Sequence, residues 1–104
     1  MKAPAIGYLR RDVSGHAQVW HETQIRSLAA RYGYDIRKVV ALTGETRRPI
    51  EQVIDVVRGA AIEAVFVPSA DHFADGEIPE DLIRAADVIT VADEATYARR
   101  LLDI

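Results

Sequence analysis

Short apolar runs alternate with amphipathic stretches along the chain, the pattern of strands followed by helices. Ala5–Leu9 reads as a buried strand, and Arg10–Ser14 after it as a polar loop. A helix is predicted over Ala17–Tyr32, because Ile25, Leu28, Ala29 and Tyr32 share one face and Gly33 follows as a cap. Trp20 falls at the edge of that face, where it is expected to cover the rim of the core. Ile36–Leu42 is the second strand, closed by the turn-forming stretch Thr43–Arg48. Pro49 suits the first position of a helix in which Ile50, Val53, Ile54 and Val57 repeat at helical spacing to Gly59.

Ala64–Val67 is a third strand too apolar for either face to meet water, and Pro68 ends it. A polar loop to Gly76 leads to Pro79, Glu80 and Asp81, which open a short helix through Ala86 with acid in its first turn. Val88–Val91 is the fourth strand. Asp93 then reads as the N-cap of a last helix, with Ala95, Ala98, Leu101 and Leu102 inward and Arg99–Arg100 near its end. Four successive strand–helix units predict an α/β fold: a three-layer sandwich around a mainly parallel four-stranded sheet, one domain over residues 1–104.

Composition narrows this little. The length of 104 residues suits one domain with a real core, and 49% hydrophobic with 28% charged residues is ordinary for a globular protein. No apolar run is long enough to span a bilayer and no signal-peptide pattern opens the chain, so a cytoplasmic location and no membrane partner are expected. The absence of cysteine excludes thiol nucleophiles and cysteine–metal sites. Charge is more telling. Residues 1–59 hold ten Lys/Arg against six Asp/Glu, while 60–104 hold three against ten. Any basic surface therefore belongs to the first half, and eleven of the thirteen cations are arginine, the side chain suited to bidentate phosphate contacts.

In an α/β domain the loops at the carboxyl ends of strands are where ligands collect. Here they offer Tyr8, Arg10, Arg11, Asp12, Ser14, His16, Arg47, Arg48, Ser69, Asp71, His72 and Asp75. Arg10, Arg11, Arg47 and Arg48 could converge on an anion such as a phosphate, each guanidinium presenting a planar fork of donors. A solvated rim holding an Arg–Asp ion pair accounts for the same residues equally well. His16, His21 and His72 lack metal-ligand spacing and are expected to face solvent, so neither metal nor other cofactor is expected. Ser14, His16 and Asp71 supply the residue types of a hydrolytic triad, but such a site is defined by geometry. Gly7 has no companions that would make a nucleotide-binding loop.

The order of these pieces resembles the catalytic domain of serine recombinases, the resolvase/invertase family. The resemblance is carried by Gly7-Tyr8-Leu9-Arg10, Gln24 with Leu28, Thr43-Gly44 before Arg48-Pro49, and Val65-Phe66-Val67 leading to Asp71-His72-Phe73, over about residues 5–75. It implies a resolvase-like fold, and for active members a serine two residues after the first arginine that attacks a DNA phosphodiester with arginines stabilising the phosphorus. Tyr8, Arg10, Arg48 and Asp71 match that pattern. Asp12 stands in the nucleophile's place, while His72 and Asp75 replace arginines. A carboxylate about 4 Å from a phosphate at an effective dielectric near 20 costs on the order of 4 kcal/mol. Ser14 is the remaining candidate for a displaced nucleophile.

The resemblance also implies a long dimerisation helix and a DNA-reading domain, whereas this sequence proceeds to a short last helix and Ile104. The expectation is thus a vestigial site of Tyr8, Arg10, Asp12, Arg48 and Asp71 on a catalytically inactive, stand-alone interaction or regulatory module. An unknown protein or a second copy would be its partner. The alternative is a minimal recombinase-like protein that grips DNA phosphates and assists or performs strand exchange.

Overall fold

The computed structural model describes residues 2–100. At its centre is β1 (Ala3–Arg10), whose Ala5, Ile6, Tyr8 and Leu9 are buried on both faces. A strand covered on both faces belongs inside a sheet. It pairs in parallel with β2 (Tyr34–Leu42) on one side and β3 (Ala64–Val67) on the other. β4 (Asp87–Thr90) runs parallel to β3, and β5 (Ala95–Tyr97) closes the sheet antiparallel to β4, in the order β2-β1-β3-β4-β5.

The crossovers place α2 (Gln18–Arg31) on one face and α3 (Pro49–Gly59) with α4 (Glu80–Ala85) on the other. Alternation along the strands divides the core accordingly. Ile6, Tyr8, Val65, Val67 and Val88 meet Val53 and Val57 of α3 and Leu82 of α4. Ala5, Phe66 and Ile89 meet Ile25, Leu28 and Ala29 of α2. α2 lies so close to β1 that a Cβ on Gly7 would sit 3.0 Å from Ile25 Cγ2 and 3.1 Å from Val39 Cγ2. The outer edge of β2 is guarded: its register with β1 slips between Ile36 and Val39, leaving the exposed Arg37 and Lys38 at a bulge that discourages further strand pairing.

Three expectations change. The sheet has five strands, because the segment after Asp93 is β5 and not a helix. The Thr90 hydroxyl donates to the Asp93 carboxylate, Glu94 N–H bonds Val91 carbonyl at 3.2 Å with Glu94 at φ 50°, and Ala95 returns opposite Thr90. Asp93 therefore ties a tight turn instead of capping a helix, and Arg99 and Arg100 run back along the sheet, their backbone N–H groups bonding Asp87 Oδ1 at 2.6 Å and Ile83 carbonyl at 3.0 Å. Leu101 and Leu102 lie outside the described residues.

The stretch after β1 is no loop: β1 passes directly into the single turn α1 (Arg11–Ser14), then a 3₁₀ turn over Gly15–Ala17, then α2. Trp20 is 62% exposed and covers no core, while Tyr32 keeps about 40% of its surface in water with its ring 6.3 Å from that of the buried Phe66. Among the described residues no helix is long and apolar enough to cross a membrane.

Candidate functional site

In a sheet of this order the direction of winding reverses between β1 and β3, so the crevice beyond their carboxyl ends is the natural place for a ligand. A cleft of about 180 Å³ opens there, bounded by Tyr8 and Arg10 of β1, Thr43, Gly44 and Thr46 after β2, and His72 and Phe73 after β3. Arg10 is the only charged side chain lining it among the described residues.

Arg10 is already engaged. Because β1 leads straight into α1, Asp12 comes back beside it, and the guanidinium meets the carboxylate at two points, Nε–Oδ1 at 3.2 Å and Nη2–Oδ2 at 2.5 Å. That contact holds the Asp12 carboxyl below the usual carboxylate range, helped by the backbone N–H of Gly44. Gly44 fits flat against the pair: a Cβ there would lie 2.5 Å from Arg10 Nη2 and 2.8 Å from Asp12 Oδ2. A carboxylate of the chain itself thus fills the fork in which an external oxyanion would otherwise be held.

His72 forms the floor. It is 1% exposed, against the expectation of a solvent-facing histidine, because the 3₁₀ turn Ala70–His72 folds its ring inward from the end of β3. Its Nδ1 accepts the backbone N–H of Arg10 at 2.9 Å, which puts the ring proton on Nε2. Burial is the main reason its pKa falls to about 4, with electrostatic repulsion from the nearby His21 and Arg10 adding to that and Asp71 and Asp12 opposing it. The Tyr8 hydroxyl donates to the His72 carbonyl at 3.2 Å and the Tyr8 ring stacks on Phe73. Burial raises the Tyr8 pKa, so the phenol stays protonated as a donor.

The other candidates do not converge on the cleft. Arg48, at φ 50°, has its side chain 77% exposed and paired with Glu51 at 3.3 Å, while Arg47 is exposed and its carbonyl accepts from Gln52. Arg11, Asp71 and Asp75 are exposed. Asp71 contributes its backbone N–H to Ser69 Oγ at 3.3 Å, and Asp75 sits at φ 58° in the following turn. The expected four-arginine anion site is therefore not assembled: of the four, Arg10 alone lines the cleft.

Ser14 is buried, with its Oγ 2.7 Å from Nδ1 of a half-buried His21. His21 in turn meets His72 edge-on at 5.5 Å. Ser14 shares its side-chain hydrogen bond with His21 and none with His16 or Asp71, so the Ser14, His16, Asp71 triad is not formed. Thr43 and Thr46 line the cleft without standing among the sequence candidates, although the turn signal over Thr43–Arg48 marks where they lie; His72 stands among those candidates but faces inward.

This arrangement of sheet and helices is a serine-recombinase-like fold. It is similar to a resolvase family site-specific recombinase from Streptococcus pneumoniae, with a TM-score of 0.68 and 15% identity over 91% of this chain and 76% of that one. It is similar also to the C-terminal catalytic domain of ISC1926 TnpA, an IS607-like serine recombinase, with a TM-score of 0.66 and 16% identity over 85% of this chain and 67% of that one. No protein-family model matches the sequence, and no curated protein matches it.

Proposed function

We propose that this domain is a catalytically silent relative of the recombinase catalytic domain and acts as an interaction or regulatory module. The observation that supports it is the Arg10–Asp12 contact. The one cation of the cleft is neutralised by a carboxylate from the position where an attacking hydroxyl is expected. Electrostatic stabilisation of a transferring phosphoryl group needs donors aimed at the developing charge, and Arg47 and Arg48 point to solvent instead.

The test is covalent capture. The full chain, incubated with supercoiled DNA carrying recombination sites and then denatured, is expected to give neither nicked product nor a protein–DNA adduct. An adduct that Ser14→Ala abolishes would overturn the proposal.

A further inference from the structure

α1 is a single turn of four residues of which only Ser14 is buried, so it has little of its own to hold it in place. It is pinned at each end by an imidazole from a different element. At the first end the backbone N–H of Arg10 donates to Nδ1 of His72, carried in by the 3₁₀ turn after β3, at 2.9 Å. At the other end Ser14 Oγ lies 2.7 Å from Nδ1 of His21 on α2. The two rings meet edge-on, their centroids 5.5 Å apart.

The two pins differ in what a proton does to them. A hydroxyl both donates and accepts, so the Ser14–His21 bond survives a proton on His21 by reversing its direction. A backbone N–H only donates. A proton on Nδ1 of His72 sets one N–H against another, and the bond to Arg10 has no second form.

The surroundings of the His72 ring do not hold a positive charge in place. Arg10 of β1 and His21 of α2 oppose it, and the Tyr8 hydroxyl of β1 is engaged with the His72 carbonyl. Of the two carboxylates that favour it, Asp12 of α1 is bonded to Arg10, and Asp71 of the ring's own turn is exposed. A buried cation without a partner is relieved by reaching water, and the segment in its way is the one with the fewest buried side chains.

We propose that His72 is an acid-sensitive pin for α1, and that protonation of its Nδ1 releases Arg10 and α1 from the end of β3 while α2 and the rest of the sheet stay folded. Arg10 and Asp12 both ride on the released segment, so the pin governs the wall of the cleft. This goes beyond the reading of the domain as catalytically silent and stands whichever way covalent capture turns out.

Amide hydrogen exchange of the isotope-labelled full chain, followed by NMR and corrected for the intrinsic effect of pH on exchange, tests it. The reporters are the N–H of Arg10 and that of Gly15, which closes α1 on the Arg11 carbonyl. Their opening constants should rise about twentyfold from about pH 7 to about pH 5, as a group with a pKa of about 4 when pinned and near 6.5 when free requires. Dilute urea should leave these openings unchanged while it speeds those of Ile25 in α2 and Phe66 in β3, which exchange only when the whole domain unfolds. His72→Gln, whose side-chain carbonyl accepts but does not titrate, should abolish the pH response at Arg10 and Gly15. The inference is overturned if Arg10 and Gly15 open only together with Ile25 and Phe66, if their opening is the same at both pH values, or if the folded variant keeps the response. Should His72→Gln misfold, the wild-type comparison decides.

Discussion

Asp12 grips the Arg10 guanidinium at both Nε and Nη2, two residues along the chain and across the junction where β1 becomes α1. Side chains two apart in a strand point the same way, but the helical turn at Arg11 is what brings the carboxylate back level with the guanidinium. The contact accordingly depends on the absence of a loop between strand and helix.

Asp12→Asn removes the internal anion while keeping its shape. Because the pair is partly exposed, the melting temperature should change little. Inorganic phosphate should then shift the Arg10 Nε resonance in an NMR titration, where the wild type responds weakly or not at all. Equal response from both proteins would show that Asp12 does not occupy the fork.

Gly44→Ala places a methyl group where Arg10 Nη2 now lies. The flexible end of Arg10 can give way, so the domain should stay folded while the ion pair opens. The Asp12 carboxyl, now held low chiefly by Arg10, should titrate closer to its ordinary range. Carboxyl-carbon NMR against pH reads this directly, and an unchanged Asp12 titration would count against the contact.

His72 predicts how stability varies with pH. Its pKa is about 4 in the folded chain and near 6.5 unfolded, so between those values the unfolded state binds the extra proton. Stability is full above about pH 6.5 and falls as pH drops toward 4, by on the order of 3 kcal/mol for this group. His72→Gln, which keeps an acceptor for Arg10 N–H, should flatten this part of the pH profile in urea titrations; a slope that persists would assign it elsewhere.

Gly7→Ala should destabilise through crowding. The methyl group meets the fully buried Ile25 at 3.0 Å and Val39 at 3.1 Å, and overfilling of this kind costs about 1–3 kcal/mol. Chemical denaturation measures it. A neutral result would mean that α2 can lift from β1.

Thr90→Val deletes the hydroxyl that holds Asp93 at the β4–β5 turn and leaves the buried side-chain volume nearly unchanged. A loss of about 1 kcal/mol is expected, together with a rise in the Asp93 pKa, which the Thr90 hydroxyl now lowers. Faster amide exchange at Ala95 and Tyr97 would localise the effect to β5.

Much of the architecture was legible locally. α3 was read over the same residues it occupies, because Pro49 and the spacing of Ile50, Val53, Ile54 and Val57 are properties of one turn and the next. β3 was read equally well, since an uninterrupted apolar run bounded by Pro68 has few other uses. The last element was misread because Asp93 followed by alanines suits a helix, while the pairing that makes Ala95–Tyr97 a strand comes from β4. His72 and Trp20 were misplaced for a related reason. One isolated histidine or tryptophan carries no periodicity, and its burial is set by which neighbours the fold brings to it.

By itself the sequence determined the alternation of strands and helices, the layers they form and the segments whose ends carry polar groups, because these follow from the period of apolar residues along the chain. Only the tertiary structure decided which polar groups face one another. It paired Arg10 with Asp12, turned Arg48 out to Glu51 and set His72 beneath the cleft. A charged side chain can be satisfied by any opposite charge or by water, so its partner depends on the path of the folded backbone, which apolar periodicity does not specify.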